Sequence, residues 1–156
     1  MRKKEFLAFF ETDLFMPELQ ATAKEDALKE MVTYLAEKKK VKNERVTLTT
    51  ILERENLGST GIGGGVAIPH SRSLMVDQIT VLFARSKKGL PYNAVDKAPV
   101  NLIFMILAPP QDPGSLYLPF LGKIVEIIKD KKNREKLMAV KDFEEFVDFM
   151  RRAYQG

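Results

Sequence analysis

The segment from Arg54 to His70 reads R-E-N-L-G-S-T-G-I-G-G-G-V-A-I-P-H and places the chain's one histidine among residue types that bind oxyanions. The planar guanidinium of Arg54 suits two phosphate oxygens at once. Ser59 and Thr60 add hydroxyl donors. The glycines up to Gly65, Gly63 and Gly64 among them, cost backbone entropy on folding unless the local conformation needs them. Such backbone presents clustered N–H groups to an anion. The run is not a Walker A loop, because no Gly-Lys-Ser/Thr closes it. Nor is it a dinucleotide fingerprint, because position 66 is Val. Pro69 ends the apolar triplet Val66-Ala67-Ile68 and restrains the backbone before His70. A histidine nucleophile with an arginine and a donor-rich loop suits phosphoryl transfer, where catalysis is mostly positioning and charge neutralisation. Residue chemistry alone leaves this as one reading among several. A lone His after Pro also fits a loop, and Arg54 between Glu53 and Glu55 also fits pairing at a helix end.

Composition narrows the alternatives. A chain of 156 residues, 45% hydrophobic and 29% charged, is expected to form one domain over residues 1–156 and is too apolar for disorder. Zero Cys excludes a disulfide scaffold, a thiolate zinc site and a cysteine nucleophile within it. A single His excludes a multi-histidine metal site, so no metal and no cofactor is expected. Lys+Arg 25 against Asp+Glu 21 gives +4, and the pI is about 9.2. That charge permits anionic partners, yet no nucleic-acid motif accompanies it. The start MRKKEFLAFFETD lacks the pattern of an export signal. The longest apolar run, Val100 to Pro110, is short of the roughly 20 residues a spanning helix needs. A cytoplasmic protein without membrane insertion is the expectation.

The elements that must hold the Arg54–His70 segment read as alternating helices and strands. Thr22 and Glu25 have capping-box spacing, and Leu28, Met31, Val32 and Leu35 follow with helical periodicity. The run Glu37 to Lys40 is expected to end that helix as a solvated turn. A shorter helix is expected from Thr47, with Leu48, Ile51 and Leu52 inward and Gly58 beyond its end. Gln78–Ala84 and Val100–Ala108 read as strands, the second apolar enough to be covered on both faces. Lys87 to Pro99 between them reads as turns. Leu116 to Ile128 reads as a largely buried helix and Lys129 to Arg134 as a polar connector. Asp142 with Glu145 starts a last helix carrying the stripe Phe143, Phe146, Val147 and Met150. Helices on both faces of a small sheet make an α/β fold of three layers, α/β/α.

The motif STGIGGGVAIPH, the upstream Arg54-Glu55 pair, the strand Leu102–Pro109 and the helix start Lys24–Leu28 together resemble the fructose/mannitol-type enzyme IIA domains of the bacterial phosphotransferase system. That family includes free-standing nitrogen-regulatory IIA proteins, and the resemblance spans nearly the whole chain. It implies a three-layer sandwich with a mixed sheet and a phosphotransferase component. His70 would take a phosphoryl group on Nε2 from phospho-HPr or a similar carrier. Arg54 would neutralise the phosphoryl charge, and the loop Ser59–Gly65 would shape the site. The next recipient would be a IIB cysteine on another chain or, for a regulatory member, a target protein. One departure stands out. Where the family carries a second active-site histidine, this sequence has Tyr117, whose hydroxyl donates a hydrogen bond but brings no positive charge.

Overall fold

The computed structural model describes residues 1–156. In chain order the elements are α1 (Lys3–Leu7), β1 (Phe15–Met16), α2 (Lys24–Glu37), α3 (Glu44–Asn56), β2 (Gly61–Gly63) and β3 (Val66–Ala67). Then follow β4 (His70–Arg72), β5 (Thr80–Leu90), β6 (Val100–Ala108), α4 (Tyr117–Ile128), α5 (Lys131–Ala139) and α6 (Phe143–Ala153). The six strands form one mixed sheet ordered β1-β5-β6-β3-β2, with β4 also paired to β6. β5 runs antiparallel to β6, whereas β3 and β4 run parallel to it.

Strand β6 shows why the layers form. From Leu102 onward its side chains alternate between faces, as a pleated strand requires. Leu102, Phe104 and Ile106 join a core roofed by α4, α6 and Phe6 of α1. Ile103, Met105 and Leu107 join a second core roofed by α2 and Ile51 of α3. This is the α/β/α sandwich with a mixed sheet. The expected helix face Leu28, Met31, Val32 and Leu35 is buried against the second core. At about 1.5–3 kcal/mol for each fully buried side chain of this size, it anchors α2. The stripe on α6 is seated in the first core, and Asp142 accepts the Glu145 N–H at 2.9 Å as its cap.

Five local expectations shift. The Thr22–Glu25 box does not form: α2 is entered through Ala23, which puts Glu25 one position short of the box partner. α3 starts earlier than Thr47, where Asn43 accepts the Val46 N–H at 2.9 Å, and Thr47 is buried. β5 continues through Lys87 and Lys88 to Leu90 rather than turning, with a register shift between Arg85 and Leu90. The polar connector is the start of α5, capped by Asp130, whose single buried side chain is Leu137. Lys40, expected in solvent, is tied to Glu11 at 3.0 Å and Asp13 at 3.7 Å.

Candidate active site

β3 and β4 are two halves of one path along β6, broken by Pro69. Pro69 offers its carbonyl to the Ile106 N–H at 2.9 Å, which keeps the path on β6 after the break. His70 then pairs with Ile106 and Arg72 with Ala108. In a parallel pair, side chains in register share a face, so His70 and Arg72 lie on the α4 side of the sheet. The His70 Nδ1 is 2.7 Å from the Ile68 carbonyl oxygen. A carbonyl only accepts, so Nδ1 carries the proton and the neutral ring keeps its lone pair on Nε2. The half-buried imidazole thereby has one ring nitrogen free to act as a nucleophile.

Two arginines flank the Tyr117 side chain on this face. Arg54 sits at the C-terminal end of α3 and donates from Nη1 to the Gly58 carbonyl at 2.9 Å. It pairs with neither neighbouring glutamate. Arg72 donates from Nη1 to the Pro109 carbonyl at 2.9 Å, and its guanidinium lies 4.8 Å from the centre of the Tyr117 ring. Neither arginine is in an ion pair, so both charges remain uncompensated. Tyr117 opens α4 and is only 5% exposed. Burial raises its phenol pKa, opposed by the positive charges of Arg72 and Arg54. Both guanidinium fields therefore reach this hydroxyl. The hydroxyl makes no bond to the protein, yet no buried side-chain oxygen lacks a partner, so its tip is open at the surface.

The family model described as "Phosphoenolpyruvate-dependent sugar phosphotransferase system, EIIA 2" matches residues 8–153. The chain belongs to this family. A nitrogen regulatory protein of Bradyrhizobium diazoefficiens is 37% identical over 136 residues, covering 84% of this chain and 88% of the relative. A fructose-specific EIIA component of Haloferax volcanii is 33% identical and covers 81% of each chain. Among solved structures, nitrogen regulatory protein IIA-Ntr of Neisseria meningitidis superposes with a TM-score of 0.85 at 30% identity, covering 94% of this chain and 99% of that one. Membership supports a general role as a phosphotransferase component. No helix is long and apolar enough to cross a membrane.

Within this IIA chain the glycine-rich loop is not the cradle its sequence implies. Gly65 accepts the N–H groups of Asn101 and Leu102, whereas His70 stands level with Ile106. Five residues of strand at about 3.3 Å each put the loop tip about 17 Å from His70 along the sheet. Gly63 and Gly64 turn the β2–β3 hairpin with φ of 99° and 67°, and the Gly64 N–H donates to Asp96 at 3.0 Å. Their glycines serve the turn rather than a phosphoryl group on His70.

The near end of the loop reaches the site's level, since the Thr60 carbonyl accepts the Ile68 N–H at 2.9 Å. Its hydroxyls are nevertheless engaged. Ser59 donates to the Tyr92 carbonyl at 3.2 Å and accepts the Gly61 N–H at 3.1 Å. Thr60 is buried, and its hydroxyl donates to Glu55. The free donor here is the Ser59 backbone N–H, which has no acceptor in the chain.

Residue types alone missed two participants. Arg72 was legible in principle: two residues after His70 on a strand means the same face. Glu55 reads in the sequence as a neighbour with which Arg54 could pair at a helix end. It is buried and accepts from Lys24 Nζ at 2.6 Å, from the Thr60 N–H at 3.2 Å and from the Tyr92 hydroxyl at 3.2 Å. Burial and the Glu55 charge push the Tyr92 phenol far above its ordinary range. This network fixes the α3 end that presents Arg54.

Proposed function

We infer that the chain is a phosphohistidine carrier in which His70 Nε2 accepts a phosphoryl group from HPr or an HPr-like phosphocarrier. The observation that carries this reading is the Nδ1–H bond to the Ile68 carbonyl, which leaves Nε2 as a lone-pair nucleophile on the face that holds Arg72. The Nε2 lone pair forms a bond to phosphorus while the bond from phosphorus to the donor's imidazole nitrogen breaks. The electron pair of the broken bond stays on the donor nitrogen, and no proton has to cross. Arg54 offsets the phosphoryl charge, and the open Tyr117 hydroxyl donates to a phosphoryl oxygen. Leu57 and Leu118, 85% and 68% exposed beside Arg54 and Tyr117, give a carrier protein apolar surface to cover.

The role is regulatory. Its support is the 37% identity to a nitrogen regulatory protein over 88% of that relative. Phosphorylation would add negative charge between two unpaired arginines and so change what this face binds. The second reading is a sugar-specific IIA component handing its phosphoryl group to a IIB cysteine on another chain. The 33% identity to a fructose-specific relative favours it. Incubation with phosphoenolpyruvate, enzyme I and HPr, read by intact mass, is expected to give an acid-labile phosphoryl adduct absent from His70→Ala. A folded chain that takes up no phosphoryl group from competent donors refutes both readings. Return of label to a cognate IIB protein would select the second.

A further inference from the structure

We propose that Arg72 is the second phosphoryl-binding cation of the site, with the Tyr117 ring as its platform. The inference rests on His70 being the phosphoryl acceptor. A dianionic phosphoryl group on Nε2 needs positive charge from more than one direction. Where relatives are expected to hold a second histidine, this chain has a neutral phenol. The charge is supplied instead from the strand. His70 and Arg72 are alternate residues of β4 on one face, with Cα atoms about 6.6 Å apart at about 3.3 Å per residue. That separation is within the span of an arginine side chain reaching back along the strand.

Two contacts hold the guanidinium without using up its donors. One N–H on Nη1 is spent on the Pro109 carbonyl, and the plane rests over the Tyr117 ring at 4.8 Å. Nε, Nη2 and the second N–H of Nη1 have no partner in the protein, which leaves four N–H groups of the fork, the three on Nε and Nη2 among them, for phosphoryl oxygens. No carboxylate neutralises the group. The Tyr117 ring is itself held, because α4 begins there and its N–H donates to Asp112 at 2.9 Å. An exposed arginine anchored at both a carbonyl and an aromatic face has lost most of its rotamer freedom before any ligand arrives. A buried aromatic under an exposed cation is thus a way to make the charge stationary.

The test uses the full chain with two donors: phospho-HPr, and phosphoramidate, a small P–N donor that releases ammonia and needs no docking surface. Arg72→Gln is expected to slow phosphorylation of His70 about tenfold or more with both donors. Arg72→Lys, which keeps the charge but not the fork, is expected to recover part of that loss. Because Arg72 is exposed, the Gln variant is expected to fold as the parent does. Equal rates for parent and Gln variant overturn the proposal while leaving the carrier reading intact. A loss seen with phospho-HPr alone also overturns it, assigning Arg72 to protein docking. A Lys variant no better than Gln overturns the charge argument. A parent chain unreactive to both donors sinks the carrier reading and the role of Arg72 together.

Discussion

Glu55 is the residue whose replacement reports most directly on how the site is braced. Its carboxylate, 4% exposed at the side chain, takes Lys24 Nζ at 2.6 Å and the Thr60 N–H on Oε2, and the Thr60 and Tyr92 hydroxyls on Oε1. Glu55→Gln preserves shape and the Oε1 acceptor but replaces Oε2 with an NH2 facing two donors. The variant loses a charge-assisted bond worth about 1.5–3 kcal/mol and strands a buried N–H at about 1–3 kcal/mol. Lys24 is 24% exposed and can turn to water, so the lower halves apply and the expected total is about 3 kcal/mol. Lys24→Met leaves the carboxylate without its countercharge but with three hydrogen bonds, and also removes a cation from the first turn of α2, so about 2 kcal/mol is expected. In the double variant Gln no longer faces an ammonium, and the total is expected to stay near 3 kcal/mol rather than reach 5, a coupling of about 2 kcal/mol. Urea unfolding of the four chains measures it. Amide exchange at Thr60 and Ile68 is expected to quicken in Glu55→Gln, because the braced strand leads to His70. Additivity within about 0.5 kcal/mol would refute the view that the pair acts as one brace.

Other outcomes follow from equally local geometry. Tyr117→Phe keeps the ring under Arg72 and removes only the open hydroxyl, so His70 phosphorylation is expected to slow about tenfold or more, one hydrogen bond to a charged group; an unchanged rate makes Tyr117 a platform and nothing more. Phe146 lies 4.7 Å from Phe83, 5.4 Å from Phe10 and 5.5 Å from Phe15 between ring centres. Phe146→Ala is expected to cost about 3–5 kcal/mol in chemical unfolding, and a loss under about 1 kcal/mol would show that the cluster collapses into the space. Burial raises the pKa of Tyr92 and Tyr117, whereas unfolded phenols ionise near pH 10. Their protonated state favours the fold fully below about pH 10, and that contribution is lost as pH rises through the folded values. Tyrosinate absorbance and circular dichroism should therefore show a buried fraction of phenols ionising together with unfolding; complete ionisation before any loss of structure would contradict this.

What the sequence made legible depended on whether a signal was local. Val100–Ala108 appears as a strand because its residues are apolar whichever face they meet. Asp142 is a cap because its partner, the Glu145 N–H, is three residues away. The start of α5 looked like a connector because Leu137 is its only buried residue, and one buried side chain sets no period. The burial of Arg85 was invisible for the opposite reason. Its partners, the carbonyls of Leu137 at 3.0 Å and Val140 at 2.7 Å, lie more than fifty positions away. The same contrast runs through the site. His70 and Arg54 stood out by type, whereas Thr60 looked like a free donor because Glu55, five residues earlier, reads as a partner for Arg54. Gly63 and Gly64 carried the composition of an anion loop, but distance along a strand is a property of pairing, and no count of glycines contains it.

The acceptor that orients His70 belongs to the main chain, two residues back across a proline. No point substitution deletes a peptide carbonyl, so the aim of the imidazole does not depend on which side chains surround it. Inheritance can therefore treat the nucleophile and its surroundings as separate characters. The exposed Leu57 and Leu118 can change to suit a different partner while the lone pair keeps its heading. The face a partner would cover and the heading of the lone pair are thus set by different atoms.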